Sequence, residues 1–186
     1  MELKIYKKTV LVFLITFFAL FQVSPFLLQA NTSRDDHEHF TLWFSSPVKE
    51  QNTSMTLHYD FEKDVEISCF YLHILFPKDT FLFDDDNTSF MHTDFLPYLR
   101  INGNQIDETD SIGRLTRNYF TLSNYAHLYN QSYLQITLTD EFGLLFKDSG
   151  LIPFEITLGI AYINDTGEQK IDFIAPCQVR VFEYLP

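Results

Sequence analysis

Glycine is scarce in this 186-residue chain, six in all, and none is set in a phosphate-cradling or dinucleotide-binding loop. No G-x-S-x-G elbow occurs either, so the sequence announces no hydrolase nucleophile. Basic side chains are few, with 13 Lys and Arg against 25 Asp and Glu and a formal charge of −12. That balance excludes nucleic acid and anionic membrane surfaces as partners, because both reward a basic patch. Cysteine is limited to Cys69 and Cys177. Beyond the N-terminus no apolar run approaches the ~20 residues that a membrane-spanning helix wants. Aromatic residues, in contrast, are abundant: 20 Phe and 10 Tyr supply a large core for a domain of this size.

The first residues, MELKIYKK, carry three lysines, and Val10 to Phe21 is an uninterrupted apolar run. Pro25 and the Leu28-Gln29-Ala30 triplet follow, which reads as a signal peptide over residues 1–30 with the mature chain starting at Asn31. The competing reading is an uncleaved anchor over Val10 to Leu28, the one route by which this protein would touch a membrane. Cleavage removes three Lys and one Glu, taking the formal charge from −12 to −14. Either way the remainder is placed outside the cytoplasm, secreted or at the extracellular surface. Residues 31–39 read as a polar linker and 40–186 as a single domain.

The domain reads as all-β. Phe40 to Val48 opens it, and Ser54 to Phe61 alternates with Met55, Leu57, Tyr59 and Phe61 on one face. Glu62 to Asp64 reads as a turn. Val65 to Pro77 (VEISCFYLHILFP) is rich in β-branched and aromatic residues and apolar at nearly every position, which predicts a central strand covered on both faces. Asn102-Gly103 and Asp165-Thr166-Gly167 mark hairpins, Ser132 to Thr139 and Ile152 to Asn164 alternate cleanly, and Asp140 to Gly150 suggests a short helix or irregular crossover. Seven to eight strands at regular spacing describe an antiparallel β-sandwich.

Four pieces of this text occur in a familiar order: Phe76-Pro77-Lys78-Asp79-Thr80, Ile101-Asn102-Gly103-Asn104-Gln105-Ile106, Leu134-Gln135-Ile136-Thr137-Leu138 and Gly150-Leu151-Ile152-Pro153. The sequence from about 65 to 175 thereby resembles the immunoglobulin-like domains of secreted and wall-associated proteins of Gram-positive bacteria. It departs from them in its sparse glycine, and no LPxTG motif occurs. The resemblance implies an immunoglobulin-like β-sandwich acting as a spacer, adhesion module or assembly subunit, with no catalytic residue.

Candidate sites are few. In an oxidising compartment Cys69 and Cys177 are a candidate disulfide, against the alternative of two buried thiols. Asp84, Asp85 and Asp86, in a long loop over residues 78–95, offer the oxygen ligands calcium takes, without the EF-hand spacing; Asp107, Glu108 and Asp110 are co-ligands only if the fold brings them near. No other cofactor is expected. The His37 and His39 pair, with Asp35, Asp36 and Glu38, is read as a solvated arm rather than a metal site. Phe81, Phe83, Phe90 and Phe95 in the same loop either form a contact surface for a protein or carbohydrate partner or fold back onto the core. Glycosylation sequons stand at Asn31, Asn52, Asn87, Asn130 and Asn164. These features favour a binding, adhesion or spacer module. The alternatives are a calcium-dependent or carboxylate-using extracellular enzyme, and an inhibitor or effector that meets a host protein through the 78–95 loop.

Overall fold

The computed structural model describes residues 40–82 and 89–184. The chain is mostly β, and among the described residues the strands pair antiparallel, with isolated parallel bridges at Val48–Phe182 and Lys49–Phe146. In order the strands are β1 (Phe40–Phe44), β2 (Asn52–Thr53), β3 (Met55–Leu75), β4 (Phe81–Leu82), β5 (Ser89–Met91), β6 (Leu99–Ile101) and β7 (Asn104–Gln105). There follow β8 (Ser111–Thr116), β9 (Tyr119–Asn124), β10 (Leu128–Leu138), β11 (Leu144–Phe146), β12 (Gly150–Asn164) and β13 (Gly167–Val181). A single helical turn, α1 (His92–Phe95), sits between β5 and β6. Among the described residues ten strands form one curled sheet, and β2, β11 and β4 form a second, small one. The strand count therefore exceeds the seven to eight expected, chiefly through short pieces of two or three residues.

The 21-residue β3 organises everything else. Its first half pairs with β1 on one edge and β10 on the other; its second half pairs with β12 and β9. One strand thus joins both halves of the curled sheet, and the turn expected at Glu62–Asp64 does not form. Those three residues have little strand propensity of their own. They are carried by β10, whose Tyr133 and Gln131 pair with Asp60 and Val65 on either side of them.

The expectation that Val65–Pro77 is covered on both faces is also corrected. Against β12 the partner of Ala161 is Cys69 and that of Tyr162 is Ile67, so Ser68 is an extra, bulged residue. On either side of it alternation is regular: Val65 and Ile67 point inward, then Phe70, Leu72 and Ile74. Tyr71 and Leu75 lie on the outer face, about 40% exposed. A one-residue slip in a period of two mixes the two faces when read as text.

The core lies within the curl of the large sheet. Phe40 of β1 meets Phe173 of β13 edge-on at 5.1 Å, and Phe44 meets Phe154 of β12 at 5.6 Å. The small sheet closes one end, with Phe81 and Phe146 of β4 and β11 5.0 Å apart and Phe146 4.9 Å from Phe44. The segment expected as a crossover between β10 and β12 is a 3-10 turn (Asp140–Phe142) followed by β11. Asn102-Gly103 makes the expected hairpin, both residues at positive φ (49° and 79°), as a mirror-type two-residue turn requires.

Candidate ligand cleft

Pairing on one edge of β3 stops at Tyr59, where β1 begins, and resumes at Glu66 with β12. Between those points the described residues leave the edge without a partner strand, and a cleft of about 460 Å³ opens there. The middle of β3 forms one wall. The β12–β13 turn forms the other, with Tyr162, Asn164, Asp165 and Ile171. Inside, Tyr59 meets Phe61 edge-on at 5.1 Å, and Phe61 meets Tyr162 at 5.4 Å. Alternation puts Tyr59 and Phe61 on the inner face, where both are only half-buried among the described residues and Tyr59 stacks on Phe173 at 6.1 Å.

Charge at the mouth is arranged by local turns. Lys63 Nζ donates to Asp165 Oδ2 at 3.2 Å and joins the two walls. Asn164 Oδ1 accepts from the amide and hydroxyl of Thr166 at 2.9 and 2.7 Å, which shapes the turn carrying Asp165. Asp60 Oδ1 lies 2.9 Å from His58 Nε2, and the His58 ring stacks on Tyr133 at 5.2 Å. Burial pushes the Tyr59 phenol above its ordinary range, helped by the charges of Tyr162 and Glu62. The cleft therefore combines aromatic walls with a carboxylate-rich rim.

The cysteines are not bridged. Cys177 is paired with Phe154 and Cys69 with Ala161, seven positions apart along β12, about 23 Å at the usual strand rise. A disulfide needs Cα atoms within about 7 Å, so register rules out the candidate bridge and leaves the alternative of two free thiols, with Cys177 buried and Cys69 half-buried. Cys177 faces the core, whereas Cys69 lines a shallow outer depression of about 290 Å³ with Tyr71, Tyr125, Lys170 and Asp172. Alkylating the folded protein is expected to label one thiol, Cys69, and denaturation to release the second. Two labels without denaturant, or a mass two daltons light, would contradict this placement.

Phe81 and Phe95 are buried core residues, not a contact surface, and Phe90 packs on Phe142 at 5.4 Å. The large-to-polar mixing of that segment hid two strands and a helical turn that point these rings inward. Phe83, Asp84, Asp85, Asp86 and Asn87 lie outside the described residues, as does Asn31. Asp107 caps a 3-10 turn, its carboxylate accepting from the amide and hydroxyl of Thr109 at 3.0 Å each, and those bonds hold its pKa down. Among the described residues no three His, Cys, Asp or Glu side chains converge on a metal-sized site. Of the remaining sequons, Asn52 and Asn130 are exposed and Asn164 stands on the rim of the cleft.

No protein-family model matches the sequence, and no curated protein does. Among solved structures the chain is similar to BslA, a bacterial hydrophobin, with a TM-score of 0.40 and 12% identity over 76% of this chain and 88% of that one. A protein from Archaeoglobus fulgidus aligns with a TM-score of 0.23 and 7% identity over 80% and 90% of the two chains. Of the cleft residues the sequence singled out only Asn164, as a sequon, and the Asp165-Thr166-Gly167 turn; the alternation of Tyr59 and Phe61 is equally that of a core strand.

Proposed function

We propose that this protein is an exported, non-catalytic module of the immunoglobulin-like sandwich kind, which holds a protein or saccharide partner at the cell surface through the cleft beside β3. The observation that carries the reading is the cleft of about 460 Å³ along the stretch of β3 edge that no described strand pairs, lined by Tyr59, Phe61 and Tyr162. Concave sites with aromatic walls and a few oriented polar groups are where ligands are held. The basic, apolar N-terminal segment and the acidic domain behind it agree with export and solubility. A carboxylate-using enzyme gains little support here, since Asp60 and Asp165 are already engaged by His58 and Lys63.

Retention of labelled protein on intact cells of the source organism tests the reading. Phe61→Ala removes the central ring and is expected to weaken retention about tenfold, the loss of one well-packed aromatic anchor. Retention unchanged by Phe61→Ala in a variant that still folds would sink the proposal.

A further inference from the structure

We propose that β13 pairs edge to edge with β13 of a second copy of this chain, so that the two large sheets join into one; the inference does not rest on the cleft's holding a ligand. β13 pairs with β12 along its whole length without a register shift, from Gly167 opposite Asn164 to Val181 opposite Gly150. A two-residue turn closes on a hydrogen-bonded pair, here Asn164 and Gly167, so the odd-numbered residues of β13 spend their backbone groups on β12. The even-numbered ones turn theirs away. Phe182, of the same parity, bears this out: its amide donates to the Pro47 carbonyl and its carbonyl accepts from the Lys49 amide, at 2.9 Å each. From Glu168 to Ile174 the outward groups have no backbone partner among the described residues. The other outermost strands of that sheet, β1, β5 and β7, run only five, three and two residues.

The residues along the edge select the partner. Edges are ordinarily blunted against pairing by charge and by proline. Pro176 does so here, since at an outward position it has no N–H to offer. That leaves the stretch from Gly167 to Ala175, between the hairpin turn and Pro176. Laid antiparallel on itself end to end, this stretch sets Lys170 opposite Asp172 of the second copy and, by the two-fold axis, Asp172 opposite its Lys170. About eight backbone hydrogen bonds form across the axis. Shifting the register to the next hydrogen-bonded pair in either direction puts Lys170 against Lys170 or Asp172 against Asp172, like charges directly opposite. Among the described residues neither Lys170 nor Asp172 makes an ion pair of its own. Ile174, 63% exposed, gains cover from Glu168 of the second copy, and half-buried Ile171 meets its counterpart on the axis. A foreign strand lacks this alternation of sign. A second copy always has it.

Sedimentation of the purified protein, from dilute solution up to millimolar, is expected to show monomer and dimer in equilibrium. Hydrogen exchange followed by NMR is expected to find the amides of Glu168, Lys170, Asp172 and Ile174 open in the monomer and protected about tenfold or more as the dimer fills. Lys170→Asp sets like charges opposite at both crossings and is expected to weaken dimerisation about tenfold. Adding Asp172→Lys exchanges the signs and recovers most of that loss. Lys170→Pro removes an outward N–H that β12 does not use, so the monomer keeps its fold and the dimer is lost. A protein that stays monomeric at millimolar concentration overturns the inference. So does a dimer that a folded Lys170→Pro variant still forms, or one whose four edge amides stay unprotected, since either places the contact elsewhere. Should Lys170→Pro fail to fold, the charge reversal decides: a double variant that dimerises no more tightly than Lys170→Asp overturns the inference.

Discussion

Replacing Phe146 by Ala is expected to destabilise the protein by about 3–5 kcal/mol, the range for truncating a fully buried aromatic ring. Phe146 is wholly buried, 4.9 Å from the ring of Phe44 and 5.0 Å from that of Phe81. It is also the point where the small sheet is fastened to the large one. Its neighbour across β4 is Phe81, and its carbonyl accepts from the Glu50 amide at 2.9 Å. Removing the ring leaves a cavity that those fixed strands cannot collapse to fill. Against a total stability of about 5–15 kcal/mol for a domain, that is a third or more. Urea unfolding should show the midpoint falling with its slope unchanged. Leu151→Ala, at an exposed position of β12, is the control and is expected to stay within about 0.5 kcal/mol. A Phe146→Ala loss below about 1 kcal/mol would mean that the small sheet does not seal the core.

The second large effect is alkaline. Burial pushes the Cys177 thiol from 9.0 up to about 12, because a thiolate facing Phe154 and the core has no solvent to stabilise it. The folded state therefore holds its proton where the unfolded state releases it. Stability from this group is full below pH 9 and drains away as pH rises from 9 toward 12. At 1.36 kcal/mol per pKa unit the complete loss is about 4 kcal/mol. Tyr59, also raised by burial, adds a loss of the same sign that begins above its ordinary value of 10.0. Comparing urea midpoints from pH 8 to 12 for wild type and Cys177→Ala isolates the thiol, since the tyrosines and lysines titrate in both. The variant is expected to start lower, for its small cavity, and to fall less steeply. Parallel curves would show that Cys177 is solvated in the folded protein.

Both effects follow from which face each residue occupies, and that was only partly legible beforehand. Strands with clean alternation, such as Ile152 to Asn164, read correctly, and so did the turn chemistry of Asn102-Gly103 and Asp165-Thr166-Gly167. These signals are local: side-chain period and positive φ depend on neighbours in the chain. Glu62 to Asp64 misled for the opposite reason, since their inclusion in β3 is imposed by β10 from seventy residues away.

By itself, then, the sequence determined a β-rich, acidic, aromatic-cored chain, because composition and short-range periodicity carry that information. Tertiary structure alone decided the rest. It placed Ser68 in a bulge, carried one strand through both halves of the curled sheet, held Cys69 and Cys177 seven positions apart on a common neighbour, and, among the described residues, formed a cleft along β3 between Tyr59 and Glu66. Each of these is a matter of register between strands distant in the chain. Register is set by the fit of whole faces, which no single stretch of residues contains.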